Sequence, residues 1–336
     1  MDIELAPTDR TAAYIESQRM VAAMAATMTA AAARAARAQW AMLDGTEPSD
    51  GVQQQRVIDP EALLLMSLWL TPRDPGMRRV VHEWVAAWSD LLSVQRTRNI
   101  AKSYSADVHA ELRAVAITAQ ERGKDFRWAP VIKSAGATAR AEDGDDDARS
   151  APGAASGRRL PVRSAALLVL RFRMALGVGA RADALAYLLA RGTAWSTVTE
   201  ISQATGYTPS AIRRALDRMA EAEIVLTVDD GTTRFRCDAA PWAALLGLQV
   251  DVAPWPHWLQ HFTFVATLVE WAESVARRKL TAYAITEGLR GVARKFRPTD
   301  DRDELRAWAF AFRDGSTMEE MEAALASVAA GLARVW

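Results

Sequence analysis

Cysteine is nearly absent: Cys237 is the one thiol in 336 residues. No disulfide can form within the chain, and the composition fits a reducing compartment. Lysine is scarce too. Only Lys102, Lys124, Lys133, Lys279 and Lys295 contribute to the 41 basic residues, so arginine richness is a habit of the whole chain and no ligand signal by itself. No apolar run has the length of a membrane span; Met20 to Ala35 is Ala-rich and weakly hydrophobic, broken by Arg34 and followed by Arg37. No charged n-region followed by an apolar h-region opens the sequence. A cytoplasmic chain with no membrane partner is expected. Also missing are G-x-x-x-x-G-K-[ST], G-x-S-x-G, clustered Cys and His, and paired carboxylates on a strand signal. The expectation is no enzyme, no catalytic residues, no cofactor and no metal.

Half of the residues are hydrophobic and a quarter charged, with a formal net charge of zero, a balance that is globular rather than disordered. The length suggests two or three domains. Good helix formers fill Thr8 to Leu43, with little large apolar surface to bury. A polar break at Asp44 to Gln55 precedes Asp59-Pro60, which opens an apolar helix, Glu61 to Leu70. A third helix, Gly76 to Leu92, carries Val80, Val81, Trp84, Val85, Trp88, Leu91 and Leu92 as a core-facing stripe. Trp84 and Trp88 at i, i+4 read as core before they read as a ligand pocket. Ser93 caps a fourth helix, Val94 to about Tyr104, with Arg96, Arg98 and Lys102 outward. A fifth, Asp107 to Glu121, turns Val108, Leu112, Val115 and Ala116 inward. Residues 1–135 thus form an all-α domain.

Residues 136–160 read as a flexible acidic and Gly/Ala linker, because small and acidic residues without large apolar ones cannot repay the entropy of ordering. Its aspartates lack the alternation and terminal Glu of a calcium loop. Gly177-Val178-Gly179-Ala180-Arg181-Ala182 formally matches a dinucleotide fingerprint. No βαβ pattern surrounds it, so a helix-to-helix joint is the simpler reading.

From Arg181 to Cys237 the signals follow one another closely. Leu185, Leu188 and Leu189 mark a one-sided helix. Thr197 with Glu200 three residues on is a capping box opening a short helix, which Gly206 ends. Thr208-Pro209 then starts a second helix, about Pro209 to Ala222, with Ile212, Leu216 and Met219 on its packing side and Arg213, Arg214, Asp217 and Arg218 on the other. Ile224 to Val228 and Thr232 to Arg236 flank Asp229-Asp230-Gly231, a hairpin signal.

This order resembles the winged helix-turn-helix domain of bacterial transcriptional regulators of the MarR and ArsR kind, over about sixty residues of the chain. The overall layout is similar to that of uncharacterised bacterial winged-helix proteins. The fold class implied is mainly α: a helical N-terminal domain at 1–135, a winged helix-turn-helix with a small β-hairpin wing at 161–240, and a helical C-terminal region at 241–336. By that resemblance Arg213, Arg214 and Arg218 read double-stranded DNA in the major groove, and Ser210 contacts phosphate or base near the helix start. Thr232, Thr233 and Arg234 are the wing contacts. Twelve Arg against seven acidic residues between Arg158 and Cys237 give that region a local balance of +5.

C-terminal helices are expected at Trp255 to Arg278, Thr281 to Phe296, Asp301 to Phe312 and Met318 to Val335. His257 and His261 are spaced for one helix face, but no third ligand accompanies them. Met318, Met321, Leu325, Val328 and Leu332 form a stripe that suits either a homodimer seam or packing within the domain. A DNA-binding regulator is the leading expectation. The alternative is a protein-interaction or antitoxin-type partner whose winged helix grips another protein.

Overall fold

The computed structural model describes residues 7–45, 56–133, 160–247, 253–278, 280–296 and 317–334. Among them the chain is mainly helical, with fourteen α-helices and one small antiparallel sheet of three strands. The linker expected at 136–160 and the helix expected at Asp301 to Phe312 lie outside the described residues, apart from Leu160. No described helix is long and apolar enough to cross a membrane.

Contacts divide the chain into two compact units: Met1–Ala35 with Gln260–Val335, and Ala36–Leu259. The first holds parts of α1 (Pro7–Leu43) and of α12 (Trp258–Ala276), together with α13 (Ala282–Arg294) and α14 (Met318–Arg334). Val21, Ala272, Val275 and Ile285 form a core cluster there. On α14, Met321, Leu325 and Val328 are buried within the chain, so packing already occupies that part of the stripe that also suits a dimer seam.

The second unit contains α2 (Pro60–Leu70), α3 (Pro75–Trp88), α4 (Val94–Ala101), α5 (Ala106–Glu121) and α6 (Ala129–Lys133). It also holds α7 (Leu168–Leu176), α8 (Ala180–Ala190), α9 (Val198–Thr205), α10 (Pro209–Glu221) and α11 (Ala239–Leu246). Asp59 caps α2 by accepting from the Ala62 N–H at 3.1 Å, and Pro60 presets its first turn. Every residue of α2 is buried. Trp84 belongs to this core, meeting Trp40 edge to face at 5.6 Å between ring centroids.

The sequence pattern separates 1–135 from 161–240, whereas the contacts gather parts of both into one unit, joined by a buried network of charges. The Arg173 guanidinium donates to both oxygens of Glu61, at 2.6 and 2.9 Å, and to both of Asp183, at 2.8 and 2.6 Å. Arg96 donates to Asp59, to Glu61 and to the Thr205 carbonyl. All five charged side chains are at most 2% exposed. Burial alone would push the Glu61 carboxyl up, but Arg173 and Arg96 hold it down at about 2. Arg96 is therefore not on the solvent side of its helix, as periodicity predicts. Buried carboxylates from α2 and its cap draw it in. The helix α8 is likewise buried from Ala182 to Leu189 rather than one-sided, because Asp183 is satisfied internally and needs no water.

Candidate nucleic-acid interface

Local rules build the segment from Ser196 to Arg236. Thr197 accepts from the Glu200 N–H at 3.2 Å while Glu200 accepts from the Thr197 N–H at 2.6 Å, closing the predicted capping box of α9. Gly206 ends α9 with φ of 74°, a left-handed turn that suits glycine. Thr208 then caps α10 by accepting from the Ala211 N–H at 3.3 Å. The helix leaves through a second left-handed residue, Glu223 at φ 57°. There Glu223 and Ile224 donate back to Ala220 and Met219, both at 2.9 Å, in the pattern of a Schellman exit.

Three strands follow the order β1 (Ser196–Thr197), β3 (Thr233–Arg236), β2 (Leu226–Asp229) across the sheet. Register pairs Ser196 with Phe235, Thr197 with Arg234 and Val228 with Arg234. Phe235 is buried in the core with Ile212, Leu216 and Met219 of α10, so the hairpin is anchored beside that helix. At the tip, Asp229 accepts from the Gly231 N–H at 3.3 Å, and Gly231 takes φ of 97°.

The packing side of α10 is Ile212, Ala215, Leu216 and Met219. Opposite it Ser210, Arg213, Arg214, Asp217 and Arg218 are exposed. Ser210 lies 3.2 Å from the Thr208 hydroxyl. The Arg213 guanidinium stands 5.7 Å over the Phe235 ring, which holds it against the hairpin side of the helix. Arg218 pairs with Glu221 at 2.8 Å, an exposed contact of little energy. On the hairpin Thr232 is exposed, and Thr233 and Arg234 are half-buried. Arg234 forms an ion pair with Asp230. Ser210 and the three helix arginines thus share the outer side of one helix, with the hairpin residues on the adjoining element.

No protein-family model, curated protein or solved structure matches the chain. The site therefore stands on its own geometry.

Two features of that geometry go beyond the residues that the sequence pattern singles out. The hairpin tip is acidic, with Asp229 and Asp230 both exposed, although the same residues supply the turn signal. Arg236 stacks on Trp195 at 4.8 Å. Its place two residues after Arg234 puts it on the same face of β3, which the period of two could have revealed. Cys237 is buried, and burial together with Asp238 pushes its thiol up to about 12. Among the described residues no group of His, Cys, Asp and Glu has the arrangement of a metal site.

Proposed function

We propose that α8, α9 and α10 with the β2–β3 hairpin form a winged helix-turn-helix, and that the chain is a DNA-binding transcriptional regulator. The observation that carries this reading is the division of α10. One side is sealed into the core, while Arg213, Arg214 and Arg218 project from the other beside a hairpin that Phe235 fixes in place. A helix so presented fits the major groove, where guanidinium groups meet guanine edges or phosphates. Thr232, Thr233 and Arg234 are the hairpin contacts in this reading. A homodimer on half-sites about 34 Å apart belongs to it as well.

The acidic tip favours a second reading, a protein-interaction or antitoxin-type partner. Asp229 and Asp230 repel phosphates at the end of the hairpin that a wing would push toward the backbone.

Titration of the purified chain with a fluorescent duplex from upstream of its own coding sequence, and with a scrambled duplex, separates the two. Wild type is expected to prefer the first duplex, with affinity falling steeply as salt rises. An Arg213→Ala/Arg214→Ala double variant is expected to lose that preference. Equal binding by wild type and variant sinks the recognition-helix assignment.

A further inference from the structure

The sheet has two faces with opposite duties. Phe235 and Ser196 are buried on one of them, and Arg213 of α10 approaches that ring. Alternation places Arg234 and Arg236 of β3 on the other face. Their register partners Val228 and Leu226 lie beside them on β2, and Thr197 lies beside Arg234 on β1. Trp195, one residue ahead of β1, is stacked under Arg236. The second face is open: Leu226 is 46% exposed, and among the described residues β2 pairs only with β3.

We propose that this outer face, centred on Trp195, Leu226 and Arg236, is a docking surface for an acidic protein segment that also carries aliphatic side chains. A guanidinium held over an indole keeps its charge, and a guanidinium edge can grip a carboxylate with two hydrogen bonds. Among the described residues no carboxylate pairs with Arg236, in contrast to Arg234, which Asp230 already neutralises in part. The charge left over therefore calls for an anion. Leu226 and Val228 beside it offer apolar surface that phosphates cannot use. A protein segment answers both halves of the surface. Trp and Arg are also among the residue types that dominate binding energy in protein interfaces. The surface lies across the sheet from Arg213; it shares its face with Arg234, a hairpin contact of the duplex reading, but is centred at the opposite end of β3.

The test uses the full chain and a fluorescein-labelled synthetic peptide alternating glutamate with leucine and valine, in anisotropy titrations at two salt concentrations. Controls replace every glutamate by glutamine, or every aliphatic residue by serine. Wild type is expected to bind the parent peptide better than either control, and more weakly as salt rises. Arg236→Gln is expected to weaken binding by about tenfold or more, since a charge-assisted bond to a carboxylate is lost. Leu226→Ser should weaken it several-fold, whereas Arg213→Ala/Arg214→Ala should leave it unchanged. Both single substitutions lie on exposed or half-exposed positions, and circular dichroism checks that their folds are intact. No binding by wild type, or equal binding by wild type and Arg236→Gln, overturns the proposal. So does a tenfold loss of duplex affinity in Arg236→Gln with peptide binding kept, which would assign the face to nucleic acid.

Discussion

Replacing Glu61 by glutamine probes the buried network directly, because Glu61 is the carboxylate shared by both guanidiniums. A carboxyl held at about 2 against an ordinary 4.5 interacts with its surroundings about 3 kcal/mol more favourably when ionised. The side chain is 0% exposed, so solvent does not discount that figure. Breaking a buried pair from one side costs about 3–5 kcal/mol by comparison with other proteins. Glu61→Gln is therefore expected to lower stability at pH 7 by about 3 kcal/mol, moving the urea midpoint down by roughly 1 M for an m-value near 3 kcal/mol/M. The sign with pH follows from the depressed value. Between pH 4.5 and 2 the unfolded chain binds the proton that the folded chain refuses, so the contribution is complete above about pH 5 and fades as pH falls toward 2. Unfolding curves at pH 7, 5 and 3 should show the gap between wild type and Glu61→Gln narrowing toward acid. Three carboxylates face two guanidiniums, however, and glutamine at position 61 would even the formal charges. If excess negative charge outweighed the paired hydrogen bonds, the variant would match or exceed wild type at pH 7. That result would refute a stabilising role for the ionised Glu61.

Two other perturbations follow from the same geometry. Gly206→Ala places a Cβ on a backbone at φ 74°, 3.2 Å from a Leu259 methyl and 3.4 Å from Ile100 Cγ1. The left-handed conformation alone costs about 1–2 kcal/mol, so a thermal melt should shift downward; a melt identical to wild type would show that the turn is free to relax. The Cys237 thiol, pushed up to about 12, should resist a disulfide-exchange reagent at pH 8 in the native protein and react at once in denaturant. Rapid stoichiometric reaction of the native chain would contradict its burial.

Where structure follows from neighbours within four residues, the sequence is legible. The Asp59-Pro60 and Thr208-Pro209 starts, the Thr197/Glu200 box, the Gly206 stop and the Asp-Gly hairpin each depend on local hydrogen bonds or dihedral limits. The exposed arginines of α10 come with them, because a side that packs defines a side that projects. The charge network is beyond reach for the opposite reason. Arg96 meets Thr205 across 109 residues, and Arg173 meets Glu61 across 112, separations on which no periodic pattern reports. An arginine in an amphipathic helix reads as solvated unless its carboxylates are known to be buried nearby. The strand β2 starts at Leu226 rather than at Ile224 for a related reason. Ile224, β-branched and apolar, reads as strand, but the Schellman exit of α10 claims its N–H.

The network bears on α10 through its corner. Arg96 donates to the carbonyl of Thr205, the last residue of α9, and its guanidinium lies 5.8 Å over the ring of Tyr207 on the far side of Gly206. Burial first, and then the Asp183 carboxylate, push the Tyr207 hydroxyl well above its ordinary range, so it stays a neutral phenol among charges. The turn that aims α10 is thus held between a glycine with one comfortable conformation and an arginine anchored to α2. A boundary cut near residue 160 would leave Arg173 and Asp183 without Glu61, and Thr205 without Arg96. An unpaired buried charge costs more than the surface pairs of Arg218 or Arg234 can return. The exposed arginines of α10 are consequently presented by the whole 36–259 unit, and the helices before the cut are part of what positions them.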